Sequence, residues 1–512
     1  MSNALLRLRQ LFRATSLFPR STDGPHQNEA PGFVNDIHSQ LNPTRVERIV
    51  SPASLDTLRE TVVRAQQQQQ TLCIAGARHS MGGQQFATDG VLIDTTNLDR
   101  VLDFDAREGK VTVEAGITWP ALVNFLIEAQ QGQVQQWGIA QKQTGADRLC
   151  LGGALSSNIH GRGLQMKPLI SDVEAFDLMD AEGQMHHCSR TSNPELFRLA
   201  IGGYGLFGII YCVTLRLARR QKVQRVVEIR TLDGLMDAFD ERINDGFLYG
   251  DFQFMTDEKS EGFLRRGVFS CYRPVDPATP LPKRQKQVSE RVWRELVFLA
   301  HADKAKAYRL YTQYYLSTTG QIYWSDLHQL SAYLDNYHQK LDRRLGASHA
   351  GSEVITELYV PRASLHLFMD EARDDFRANG VNIIYGTIRL IEQDDESFLA
   401  WATQPFACVI FNLHTDHTPQ GKEHSAQAFR RLIDIALRYG GSYYLTYHRH
   451  ATRQQVEQCY PQFAELLELK KRYDPQQRFQ SDWYRHYQQM FALDEDQSGG
   501  ALAHAATSHE AR

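Results

Sequence analysis

No C-x-x-C pair occurs among the seven cysteines, which lie scattered through 512 residues. That spacing excludes a disulfide framework and a paired-cysteine zinc site, and it fits reduced thiols in a cytoplasm. The chain also lacks any apolar run approaching the length of a bilayer span, so no integral membrane segment is expected. Arg7, Arg9, Arg13 and Arg20 near the N-terminus are not followed by an uninterrupted apolar segment, so no signal peptide is expected either. An excess of one charge is missing too. The 56 Lys and Arg stand against 60 Asp and Glu, a net charge of -4, which argues against a protein built mainly to bind nucleic acid.

What is present is enough apolar content (42%) and length for two cores. The chain is organised around Gly76-Ala77-Arg78-His79-Ser80-Met81-Gly82-Gly83, which follows the short apolar stretch 72–75. Glycines there let backbone N–H groups wrap a phosphate. No Gly-Lys-Ser/Thr follows, and Ala77-Arg78-His79 fills the space between glycines, so this loop is neither a Walker A nor a G-x-G-x-x-G. Around it the pattern alternates. A strand is expected at 45–50, a helix opened by Pro52 and Ser54, a strand at 91–94, a hairpin pairing 101–104 with 111–115, and a helix over 119–129. A second cluster, Gly152-Gly153-Ala154-Leu155-Ser156-Ser157-Asn158-Ile159-His160-Gly161, marks a backbone that something approaches closely, or a tight helix start packed on a sheet. Strands at 173–180, 184–188 and 208–217 complete this region, the last after Gly202-Gly203-Tyr204-Gly205.

Those two loops, in that order over residues 43–218, resemble the FAD-linked oxidoreductases of the vanillyl-alcohol oxidase/p-cresol methylhydroxylase superfamily, nearest to the sugar-lactone and alditol oxidases and the decaprenylphosphoryl-ribose oxidases. The resemblance implies an α+β fold with a two-part FAD-binding domain (36–220), and a substrate domain (221–470) whose mostly antiparallel sheet carries helices on one face. A return to the first domain (471–490) follows, with a mobile leader (1–35) and a disordered tail (491–512) outside them. It implies that Gly76, Ala77, Arg78, His79, Ser80 and Gln84 grip the FAD diphosphate, and that Gly145, Gly152, Ser157, His160, Gly161 and the backbone of Ile209 line the rest. His79 stands where relatives bond covalently to the flavin 8α carbon. A second, cysteinyl attachment is not expected, because Cys150 does not fall at the spacing of doubly linked members.

Four prolines in 274–282 suggest a linker to the second domain, and Lys283 to Arg309 a basic helix with a solvated face. Tyr308, Tyr311, Tyr314 and Tyr315 at helical spacing suggest core. Beyond them, 353–360, 364–378, 381–391, 407–414, 422–439 and 442–448 spell β-α-β-β-α-β. Alternation gives an apolar sheet face (Val354, Leu358, Ile388, Phe411, Tyr443, Tyr447 among others). The opposite face is polar, with Glu357, Tyr359, Tyr385, Thr387, Arg389, Asn412, His414, Tyr444, Thr446 and His448. Lys and Glu would suit a solvated face better, so this one is expected to wall a pocket.

By the resemblance, Arg389 matches the family arginine, while Thr387, Asn412 and His448 depart from its glutamate, histidine and lysine. The activity implied is oxidation of an alcohol CH–OH on a sugar, sugar-lactone or polyol substrate, by hydride transfer to flavin N5. His414 or His448 is the expected base, beside Asn412, with Arg389 stabilising negative charge. The electron acceptor stays open. So do two alternatives, a flavin reductase of a C=C bond and a redox-inactive FAD-binding partner subunit. A metal at His414, His417 and His424 is not expected, because no carboxylate motif accompanies them.

Overall fold

The computed structural model describes residues 32–282, 285–330 and 337–492. Most of the expected leader and tail, with Lys283 and Arg284, lies outside the described residues. Two edges of those expectations are corrected: Phe33–Val34 forms a strand paired with Thr44–Arg45, and the helix Asp482–Ala492 runs past residue 491.

The N-terminal part holds a three-stranded parallel sheet, ordered Arg48–Val50, Val91–Asp94, Leu72–Ala75. Beside it lies a five-stranded antiparallel sheet built from Met185–Ser189, Val173–Met179, Ile209–Arg216, Lys110–Glu114 and Val101–Asp105. The helix Leu55–Gln67 starts where Ser54 caps the Thr57 N–H and Thr57 returns the bond. It buries Leu58, Val62 and Ala65, the one apolar stripe its sequence offers. The C-terminal segment ties back here, since Leu72 N–H donates to Arg478 O and Gln480 N–H to Leu72 O.

The other part is an eight-stranded sheet of antiparallel pairs. Its order is Ile322–Trp324, Lys222–Thr231, Arg266–Pro274, Tyr249–Phe254, Ile383–Ile391, Phe406–Asp416, Gly351–Pro361, Ser442–Tyr443. The proline-rich stretch therefore separates no domains. Pro274 ends a strand inside this sheet, and the strands on both sides of the stretch pair within it. Helices Leu365–Asn379 and Pro419–Arg438 cover the apolar face. Phe411 packs there against Phe376 and Phe368, with ring centroids 5.0 and 6.4 Å away. Truncating such a buried ring costs about 3–5 kcal/mol.

Alternation places Tyr444 and Thr446 at the cavity as expected and fails at Tyr447; it also slips at the bulge between Ile383 and Tyr385, where Ile383 rather than Ile384 joins the core. The last strand stops at Tyr443, and a turn over 445–447 reverses which side chains face inward. Tyr447, expected on the apolar face, lines the cavity on the other side. His448, expected in the pocket, stacks flat on Phe429 of the covering helix at 4.3 Å and lies 3.1 Å from Thr356 Oγ1.

Candidate functional site

A cavity of about 460 Å³ lies between the glycine loops and the polar sheet face. The first loop is clamped to the turn after Tyr443. Gly82 N–H donates to Thr446 O (3.1 Å), and the Gln84 amide donates to Leu445 O (3.0 Å) and Thr446 O (2.9 Å). Across the cavity Arg389 donates to Thr144 Oγ1, and Gln143 donates to the Tyr447 hydroxyl at 3.1 Å. Tyr444 reaches the Ser157 carbonyl. Each of these bonds joins a strand or turn of the large sheet to a loop or, at Ser157, a helix end of the N-terminal part.

Of the residues expected at a cofactor, Gly76, Ala77, Arg78, His79, Ser80, Gln84, Gly145, Gly152, Ser157 and His160 line this cavity. Gly161 and Ile209 do not. The Gly161 N–H is bound by Gln141 Oε1, and Ile209 is sealed in the sheet core, while its neighbours Gly208 and Ile210 reach the cavity. Gln84 lines the cavity, but its amide N–H groups go to the turn, which leaves an acceptor oxygen unsuited to a diphosphate. Arg78 adopts φ 57° and Gly145 φ 93°. A Cβ on Gly145 or Gly153 would meet no atom within 4 Å, so bare backbone faces the open space. That cradle fits a group with an extended phosphate chain.

His79 lies at one end. Its Nδ1 is 2.7 Å from Nε2 of His38, a residue with no motif around it in the sequence. Burial pushes His79 well below the usual imidazole range, with His38, Arg148 and Lys142 adding to it. Burial, with His338 nearby, takes His38 down to about 4. Both rings are therefore neutral at pH 7. Cys150 touches the same loop, and burial raises its thiol to about 12.

Of the expected catalytic residues, Arg389 and Asn412 line the cavity; His414 and His448 do not. His414 sits one layer behind, 3.3 Å from Glu353 Oε1, and His448 is on the far side of the sheet. Glu357 lines the cavity as well. Its Oε1 binds His160 Nε2 (2.6 Å), the Tyr359 hydroxyl (2.8 Å) and the Cys408 thiol (3.0 Å). Its Oε2 is buried and has no hydrogen-bond partner among the described residues. Burial alone would raise this carboxyl, but His160 and the three bonds outweigh it and hold it below its usual value. Asn412 Oδ1, Thr387 Oγ1, Arg389 Nε and Asp251 Oδ1 are likewise buried without a partner among the described residues, all at this cavity. Buried polar atoms are normally satisfied, so this concentration marks a surface shaped for a polar ligand. Tyr311 and Tyr315 also line it, against the expectation that they are core.

Residues 46–189 match the FAD binding domain family. L-gulonolactone oxidase of Bos taurus is 31% identical over 198 residues, 38% of this chain and 43% of that protein. The match thus spans less than half of the mammalian relative. L-gulono-1,4-lactone dehydrogenase of Mycobacterium tuberculosis is 24% identical over 443 residues, 85% of this chain and 95% of that protein. Mitochondrial L-galactono-1,4-lactone dehydrogenase 2 of Oryza sativa is 27% identical over 215 residues, 40% of this chain and 36% of that protein. With two glycine loops facing one cradle, residues 46–189 form an FAD-binding domain, the protein is an FAD-linked oxidoreductase similar to the sugar-lactone oxidases and dehydrogenases, and FAD is its cofactor.

Proposed function

We propose that this protein oxidises a CH–OH group of a sugar, sugar-lactone or polyol. The observation that carries the reading is the row of unsatisfied buried atoms on the sheet face, directly across the cavity from the glycine loops. Relatives named for L-gulono-1,4-lactone and L-galactono-1,4-lactone support the substrate class. FAD, when bound, supplies a hydride acceptor at N5. Gly76 to Ser80, Gly145, Gly152, Gly153, Ser157 and His160 would hold it.

The chain's own residues do the rest. Asn412, Thr387 and Arg389 offer donors and acceptors of the kind that orient a polyhydroxylated ring. Glu357 is the proton acceptor for the substrate hydroxyl, ionised at neutral pH and presenting Oε2 to the cavity. His160 and Tyr359 hold Oε1, which fixes the direction of Oε2. Arg389 stabilises developing negative charge on the substrate oxygen. His79 is positioned to carry the flavin covalently, its neutral imidazole held by His38. Anaerobic addition of L-gulono-1,4-lactone, L-galactono-1,4-lactone and polyols to the purified flavoprotein tests the reading. Bleaching by one of them is expected. Bleaching only by NAD(P)H would favour a reductase instead.

A further inference from the structure

Three residues at and just behind the cavity wall, of which Glu353 lines it, are not used by that chemistry. Glu353 comes from the strand Gly351–Pro361, His414 from Phe406–Asp416, and His301 from the helix Glu290–Ala302. His301 Nε2 lies 3.1 Å and His414 Nδ1 3.3 Å from the same oxygen, Glu353 Oε1. The three donor atoms all lie within 4.8 Å of one another. The side chains of His301 and Glu353 are each 4% exposed. The two imidazoles stand at 90° with centroids 4.9 Å apart, edge to face rather than stacked.

These separations can be read as hydrogen bonds or as the edges of a coordination polyhedron. His301 Nε2, although 3.1 Å from the carboxylate, makes no hydrogen bond of acceptable direction among the described residues. Metal–ligand distances of about 2.0–2.2 Å in a tetrahedron put donor atoms roughly 3.3 Å apart, close to the 3.1 and 3.3 Å of the two contacts to Glu353 Oε1. The neighbouring cluster of His160, Glu357 and Cys408 gives the contrast, since its 2.6 Å His–Glu contact is too short for such an edge and is a hydrogen bond. The surroundings fit the outer layer of a metal site as well. Asp416 Oδ1 stands 3.5 Å from the other nitrogen of His414, and the Tyr337 hydroxyl holds Glu353 Oε2, leaving Oε1 as the ligand atom. His414 lies over Gly351, where a Cβ would come within 2.4 Å of the ring. The ring orientation therefore depends on that glycine.

We propose that Glu353, His301 and His414 bind a divalent transition-metal ion, zinc by donor set and geometry, with a fourth position open to the cavity. Two imidazoles and one carboxylate suit zinc. Because Glu353 lines the cavity, the open position would take water or an oxygen of the bound ligand. The existence of the site does not depend on the oxidation reading.

The test uses full-length flavoprotein stripped with a chelator and titrated with zinc against a chromophoric competitor, then with cobalt for its ligand-field bands. A single tight equivalent and a four-coordinate cobalt spectrum are expected. Glu353→Gln and His301→Ala should each weaken zinc by roughly 100-fold or more, whereas His424→Ala, at an exposed histidine, should not. Melting curves and the flavin spectrum check that each variant is folded, and His301→Ala serves if Glu353→Gln is not. No zinc retained by the wild-type protein would overturn the proposal. So would an affinity that a folded Glu353 or His301 variant leaves unchanged.

Discussion

Glu357 and Glu353 lie four residues apart on one strand, both buried and both facing one cavity, yet their surroundings differ in kind. Glu357 is gripped on one oxygen by three donors at 2.6–3.0 Å, which leaves the other oxygen to the cavity. Glu353 is ringed by histidines at 3.1–3.4 Å, with only the Tyr337 hydroxyl closer. The same side chain at the same depth is a firmly held carboxylate in one place and the hub of a looser donor cluster in the other. What decides the matter is the neighbour. His160 comes from the second glycine loop and bonds Glu357 directly, whereas His301 and His338 reach Glu353 from two helices.

Four changes would break or sharpen this contrast. The largest concerns the His79 end of the cavity. Acid-precipitated wild-type protein is expected to keep its flavin and fluoresce on a denaturing gel, and His79→Ala to release all of it. Next, Glu357→Gln removes the negative oxygen facing the cavity and should slow anaerobic flavin reduction by about 10²–10⁴-fold, the range for a positioned base. An equal rate would move the base elsewhere. Arg389→Ala should leave the flavin spectrum intact and slow the same step by about 10²-fold, the cost of one preorganised charge contact.

The smallest effect on turnover is expected at His448. His448→Phe should change the rate less than about 3-fold, because a ring that stacks on Phe429 outside the cavity meets no substrate. The variant should instead flatten the acid limb of stability. Burial holds His448 well below its usual range and His450 at about 4, so the unfolded chain takes up protons first as pH falls below about 6.5. Stability is therefore full above pH 6.5 and lost toward pH 4. Urea midpoints across that window should fall less steeply in His448→Phe than in the wild type.

Much of this was legible from residues alone. Glycine spacing located both loops, and the period of two assigned Glu357, Thr387, Arg389 and Asn412 to the cavity face, because the strands at 351–361, 383–391 and 406–416 are long and buried on one side. The same rule misplaced Tyr447 and His448, since nothing in Ser442-Tyr443-Tyr444-Leu445-Thr446-Tyr447 signals that pairing ends at Tyr443. His38, His301 and His338 carried no local signal at all. They are single histidines on a loop and two helices, and only tertiary packing brings them to His79 and Glu353. That Glu357 lines the cavity while His414 does not was hidden for a related reason, since parity gives a face and not a depth.

The measurement that bears most directly on the central claim is anaerobic spectroscopy of the purified flavoprotein with a panel of sugar lactones and polyols, for the wild type and Glu357→Gln. A flavin spectrum is expected in both, with bleaching of the wild type by at least one member of the panel and a rate lower by about two orders of magnitude or more in the variant. A wild-type flavin that no CH–OH donor reduces, or a variant that is reduced as fast as the wild type, would contradict it.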